Sequence, residues 1–181
     1  MTESPVVIRR SREQTKPQQR EFNFSPAINA EGTFIQRYQA EAWKAYQALP
    51  FPTTKHEAWR WTDISRMPIE SFEPGKGGSI SAIPAALLEP VADAEHGGEI
   101  LLTGEQNQIH LDTALSEAGV IFTDLKHASD VAPHVIEKIL GKVIHPDEEK
   151  FSALAGAMAQ EGILLYVPKG LQVESPLHSL L

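Results

Sequence analysis

Apolar residues recur along this chain with two different periods, and the places where the period changes divide it. From about Glu31 to Leu49, Phe34, Ile35, Tyr38, Ala42, Ala45, Tyr46 and Leu49 return every three to four positions. That spacing predicts a helix with one apolar stripe. Pro50 and Pro52 end it, because proline lacks the helical N–H and disfavours helix in the residue before it. In the following segment a Thr54 cap with Glu57 three residues on predicts a capping box for a short helical turn. Residues 73–79, Glu-Pro-Gly-Lys-Gly-Gly-Ser, read as a flexible loop.

The pattern turns strand-like at Glu99. Ile100–Thr103 and Gln108–Leu111 flank Gly104-Glu105-Gln106-Asn107 and predict a hairpin, and Gly119–Phe122 a third strand. Helical spacing returns from Asp130 to Leu140, with Gly141 as its stop. A second helix is expected from Pro146 to Gly162, its acidic first turn suiting the positive helix end. Phe151, Leu154, Ala155 and Met158 form its expected buried face. Ile163–Val167 is a continuous apolar run, as in a strand covered on both faces. The last residues, Pro176 to Leu181, read as exposed apolar strand with no second partner strand, an ending that suggests a piece of a longer protein.

Composition narrows the function. At 181 residues, 41% hydrophobic and 22% charged, the chain can bury a core. It contains no cysteine, which removes disulfides, thiolate metal sites and cysteine nucleophiles. Its net charge of −8 argues against binding nucleic acid through phosphates, and no apolar run reaches membrane-spanning length. The start, Met1-Thr2-Glu3-Ser4-Pro5, lacks the order of a secretory signal, so a soluble cytoplasmic protein is expected. The charge is uneven: residues 1–20 carry five basic groups and two acids, net +3, leaving −11 for the rest. Rich in Gln, Ser, Thr and Pro, this start reads as a disordered basic tail rather than a transit peptide.

Chemical motifs are sparse. His56, His96, His110, His127, His134, His145 and His178 show no metal-ligand spacing and read as scattered surface residues, so no metal is expected. Gly75-Lys76-Gly77-Gly78-Ser79 lacks the spacing of a phosphate loop. No serine sits in a G-x-S-x-G elbow, and Asn23-Phe24-Ser25 forms a glycosylation sequon that precedes Pro26 and matters only in a secreted chain. In Trp59-Arg60-Trp61 the alternate tryptophans suit a core anchor, with Arg60 turned out to pair with Glu57 or Asp63; a protein interface is the other reading. An enzyme with His110 or His134 as general base finds no nucleophile or acid placed beside either. No catalytic, cofactor-binding or metal residue is assigned.

Two segments carry a resemblance. Leu49-Pro50-Phe51-Pro52-Thr53-Thr54-Lys55-His56-Glu57-Ala58-Trp59-Arg60-Trp61-Thr62-Asp63 is similar to the "LPxPTxxxExWRYTDL" signature of SufD members of the SufB/SufD family. Lys150-Phe151-Ser152-Ala153-Leu154, running on through Tyr166-Val167-Pro168-Lys169-Gly170-Leu171, resembles "KFxALNxAxxxxGxFIYVPKGV", shared by SufB and SufD. Gly119–Leu125 and Leu140-Gly141-Lys142 also fall where the family has them, so the resemblance covers residues 31–181. One departure is Leu154-Ala155, where the family has Leu-Asn; a hydrogen bond from that Asn would be lacking here.

The resemblance implies an α+β fold: a basic tail (1–28), an N-terminal domain (29–161), and the start of a right-handed parallel β-helix (162–181), truncated at Leu181. It implies a non-catalytic scaffold subunit of the SufBCD iron–sulfur cluster assembly complex, with a SufB-like partner and a SufC-like ABC ATPase whose ATP hydrolysis drives rearrangement. A homodimer through the β-helix edge is a further expected partner. The family's SufC-binding and cluster-building residues fall beyond this chain, so none is carried over, and no cofactor is expected on it. The segment at 49–63 favours SufD, with a SufB paralogue or a stand-alone adaptor as alternatives.

Overall fold

A computed structural model describes residues 20–75, 84, 86, 95–103 and 107–180. The basic start, apart from Arg20, most of the loop at 73–79 and the tip of the hairpin lie outside the described residues. The architecture is α+β, and among the described residues no helix is long and apolar enough to cross a membrane.

Helix α1 spans Phe34–Ala48 and begins where chain chemistry supplies a stop for its orphan N–H groups. Thr33 Oγ1 accepts the Gln36 N–H, and Gln36 Oε1 accepts the Thr33 N–H at 2.9 Å, a complete capping box. Its expected stripe faces inward: Ile35, Ala42 and Tyr46 are buried. After Pro50 the chain runs extended, then makes single 3₁₀ turns at Glu57–Trp59 and Ile69–Ser71. The box expected at Thr54 does not form. His56 stands at the cap without a side-chain bond, and its Nδ1 instead accepts the Thr53 N–H at 3.2 Å.

The hairpin forms as strands β1 (Gly98–Leu101) and β2 (Gln108–Leu111), antiparallel with Ile100 opposite Ile109. A short helix α2 (Thr113–Glu117), which the pattern does not reveal, leads through Gly119 at φ 87° into β3 (Ile121–Asp124). The helix expected over 130–140 forms as α4 (Pro133–Ile139), and a helix the pattern does not reveal, α3 (Leu125–Val131), precedes it. Pro133 cannot continue α3 but suits the first turn of α4, so the chain breaks at Ala132. Gly141, at φ 70°, follows α4 as anticipated.

Helix α5 (Lys150–Ala157) is shorter than expected and turned on its axis. Lys150, Ala153, Gly156 and Ala157 are buried, whereas Ala155 is exposed and Phe151, Leu154 and Met158 are half-buried. The small residues win because α5 crosses close to α1: a Cβ on Gly156 would sit 3.0 Å from the Ala42 Cβ. Exposed Ala155 also means that the family's Asn at this position would not be bonding inside the core.

Strand β4 (Ile163–Tyr166) pairs antiparallel with β3. The expectation of cover on both faces holds only at its start. Ile163 packs on one core and Leu164 lies in the other, while Leu165 and Tyr166 are 49% and 40% exposed. Leu171–Val173, despite its alternation, forms no strand. Residues 177–180, expected to lack a partner, form β5 (Leu177–Leu180), which pairs in parallel with β1 and gives a sheet ordered β2-β1-β5. The partner was invisible because it lies so far back in the sequence.

Two cores hold these elements. Ile35, Leu125, Ala128, Ala132, Val135, Ile136 and Leu164 fill the space between α1, α3, α4 and β4. Ile100, Leu102 and Phe122 join the two sheets, with Leu111, Ile163 and Leu177 at the margin.

Candidate functional site

The segment at 49–63 lines one side of a groove of ≈ 620 Å³. Leu49, Phe51, Pro52 and His56 of that segment line it together with Arg20, Ser65 and Lys150. The prolines matter because each fixes φ and removes a donor, so this stretch stays extended along the groove instead of coiling.

Lys150 is the unusual member, 2% exposed at the first position of α5. A lysine there faces the positive end of its own helix, so something else must hold it. Its Nζ donates to the Tyr46 carbonyl, one of the orphan acceptors in the last turn of α1, and lies 3.9 Å from the Tyr46 ring centre. The negative end of α1 thus takes the charge that α5 repels. Burial pushes the Lys150 amine below its ordinary value, and the Glu21 carboxylate partly offsets this.

Arg20 also lines the groove. Its guanidinium donates to the carbonyls of Ile64 at 3.2 Å and Ser65 at 2.7 Å and to that of Met67, and reaches the Glu70 carboxylate at 3.5 Å. Asn23 Nδ2 donates to the Glu70 carbonyl at 2.7 Å, and the Phe22 ring packs against Phe24, Phe51 and Phe72. Residues 20–24, without regular structure of their own, are therefore strapped across the segment that follows the groove wall.

The two tryptophans part company. Trp59 is half-buried against the Phe151 ring at 5.3 Å, and its Nε1–H donates to Glu149 Oε2 at 2.9 Å. Trp61 is 85% exposed, covered only by the Arg60 guanidinium at 4.6 Å, while Arg60 also pairs with Glu57 at 3.2 Å as foreseen. The core-anchor reading thus holds for Trp59 alone. In a 3₁₀ turn residues two apart do not share a face, as they would in a strand. Replacing Trp59 by Phe keeps the ring contact and removes the Glu149 bond; the urea midpoint is expected to fall by the equivalent of about 1 kcal/mol.

The histidines are less scattered than their spacing suggests. His56, His127, His134 and His145 are exposed and separate. His96, His110 and His178 converge on the outer face of the β2-β1-β5 sheet, with ring centres 6.3 Å (His96–His110) and 5.8 Å (His96–His178) apart. His110 and His134, the two candidate bases, are exposed, and the buried carboxylate of Asp124 pairs with His127 at 2.8 Å. Sequence reasoning missed Lys150 and Arg20. The signal for the first was a cation at a helix start whose neighbours are acidic.

Known proteins define the class. Residues 101–178 match the family model described as the SufBD protein N-terminal region. The iron–sulfur cluster assembly protein SufD of Bacillus subtilis (strain 168) is 28% identical over 164 residues, 82% of this chain and 37% of that protein. The iron–sulfur cluster assembly protein SufB of the same organism is 37% identical over 65 residues, 36% of this chain and 14% of the relative. The chloroplastic protein ABCI7 of Arabidopsis thaliana is 22% identical over 144 residues, 80% of this chain and 29% of that protein. No solved structure matches. The chain is thus similar to the SufB/SufD family of iron–sulfur assembly proteins, as the resemblance implied, and spans about a third of the length of its SufD relative.

Proposed function

We propose that this chain is the N-terminal region of a SufD-type scaffold subunit, working with a SufB-type partner and a SufC-type ATPase in the cytoplasm. The observation that carries the reading is the reach of the matches. Similarity to SufD extends over 82% of the chain, whereas similarity to SufB extends over 36%. The groove-wall segment at 49–63, with its extended prolines and Trp59, is the part that SufB-type sequences usually lack. Its construction from backbone contacts and aromatic packing suits a scaffold, since the groove presents no paired acid and base.

In this reading the β-helix follows from β5. Its parallel pairing with β1 leaves the other edge of β5 without a strand among the described residues, and further coils would add there. A homodimer would then pair through the open edge of the completed β-helix. ATP hydrolysis by the SufC-type subunit would move the scaffold, and this region would take part through its surface.

Co-purification tests the proposal. The full-length protein carrying this region, co-expressed with SufB-type and SufC-type subunits of its own organism, is expected to elute as one complex. Elution as separate species under gentle conditions would count against the scaffold reading, and assembly with SufC and a SufD-type partner instead would favour a SufB paralogue.

A further inference from the structure

The outer face of the β2-β1-β5 sheet gathers side chains that neither the family match nor the scaffold reading uses. Glu99 on β1 stands directly opposite His110 on β2 and directly opposite His178 on β5. Residues opposite one another in a sheet share a face, so the three form one row, His110–Glu99–His178. His96, just before β1, adds a third imidazole; its Nε2 lies 3.9 Å from Glu99 Oε2. The opposite face of β1 carries Ile100 into the core, which leaves this row as a polar surface with no packing task.

Two nitrogens in the cluster are anomalous. His96 Nδ1 and His178 Nε2 are buried from solvent yet have no hydrogen-bond partner among the described residues. A buried ring nitrogen without a partner loses its water and gains nothing in return, a cost that proteins rarely leave uncompensated. An imidazole nitrogen with a free lone pair is also the commonest transition-metal donor.

We propose that His96, His110, His178 and Glu99 bind a divalent first-row transition-metal ion, with Zn²⁺ the best-suited probe. Three imidazoles and a carboxylate without thiolate form a donor set of borderline softness, which suits zinc and its neighbours rather than calcium or magnesium. As the side chains stand, no three such donors among the described residues enclose a common point. The backbone nevertheless sets the right span. Neighbouring strands lie about 4.8 Å apart, so the His110 and His178 Cα atoms are about 10 Å apart with Glu99 midway. A histidine-bound ion sits about 6 Å from the Cα, so one ion above Glu99 is within reach of both. Two imidazoles on a tetrahedral ion have ring centres about 5 Å apart, slightly closer than the 5.8 and 6.3 Å seen here. Binding would therefore turn the rings about their two side-chain torsions, a change that leaves the strand pairing as it is. Because His178 comes from a strand far along the chain from the β1–β2 hairpin, no local spacing announces the set.

The proposal does not rest on the SufD reading. Its test is titration of the metal-stripped 181-residue chain with Zn²⁺ in competition with a chromophoric chelator, and with Co²⁺ followed by its visible absorption. One equivalent is expected to bind, with the imidazole resonances of His96, His110 and His178 shifting together in NMR spectra. The double variant H110Q/H178Q is expected to weaken binding at least about tenfold while keeping the parent's circular dichroism, and H127Q/H145Q is expected to leave the Zn²⁺ affinity unchanged. His110 is exposed, so H110Q alone serves should the double variant fail to fold. Absence of binding by the parent chain, unchanged affinity in the sheet variants, or loss of affinity in H127Q/H145Q would each overturn the site.

Discussion

Replacing Asp124 by alanine is expected to lower the stability of the fold by about 3 kcal/mol at neutral pH. The carboxylate is 1% exposed, at the point where β3 becomes α3. It caps that helix by accepting the His127 N–H at 2.8 Å, accepts Asn107 Nδ2–H at 2.8 Å, and meets His127 Nδ1 at 2.8 Å. Burial alone would raise its pKa, because a charge leaves water, but the bonds from the His127 backbone, Asn107 and the His127 ring outweigh burial and hold it below the ordinary carboxylate value. A depressed folded-state value means that this stability is present above the unfolded pKa of about 3.9 and is lost as pH falls through the folded one. The gap between parent and variant in urea unfolding should therefore be widest near pH 7 and narrow in acid. A gap of equal size at both ends would show that Asp124 acts through shape and not through charge.

Gly156→Leu is expected to cost about 3 kcal/mol or more, because it wedges α1 and α5 apart at their closest approach. A Cβ at this position meets the Ala42 Cβ at 3.0 Å and Tyr38 Oη at 3.1 Å, and a leucine places three further carbons there. The consequences run beyond the crossing, since α5 also carries Lys150 to the end of α1 and Phe151 to the Phe51 and Trp59 rings. Gly156→Ala separates crowding from backbone freedom. It gains about 1 kcal/mol of helix propensity and meets two tight contacts, Ala42 Cβ and Tyr38 Oη, so it should stay within about 1 kcal/mol of the parent in thermal unfolding. An alanine variant as unstable as the leucine one would mean that the helices tolerate no atom at all.

These two positions also show what the sequence could and could not disclose. Helix α1 was legible because its stripe spans four turns and the prolines after it are unambiguous. The hairpin was legible because alternation brackets a turn. The buried face of α5 was not, since large apolar side chains dominate a periodicity argument while a close helix crossing selects glycine and alanine. Pro133 opens α4 instead of lying inside a helix begun at Asp130, and most of α3, which ends at Val131, lay outside the expected range. Arg20 was assigned to a tail by composition, yet its guanidinium binds three carbonyls far along the chain, and composition says nothing about such a reach. The histidine row is the extreme case. His96 and His110 flank one hairpin arm, but His178 joins them only through the parallel pairing of β5.

That pairing bears on how the chain comes to be folded. Gly98 and Leu177 are neighbours in the sheet but far apart in synthesis, so on the ribosome β1 and β2 exist for some time as a bare two-stranded hairpin. The open edge of β1 is available to any extended segment during that interval, and closing so long a loop is slow compared with forming the local helices. A nascent chain held at any length short of β5 should therefore be the form most prone to aggregate, and the stretch from Pro176 to Leu180 the one whose emergence ends that exposure.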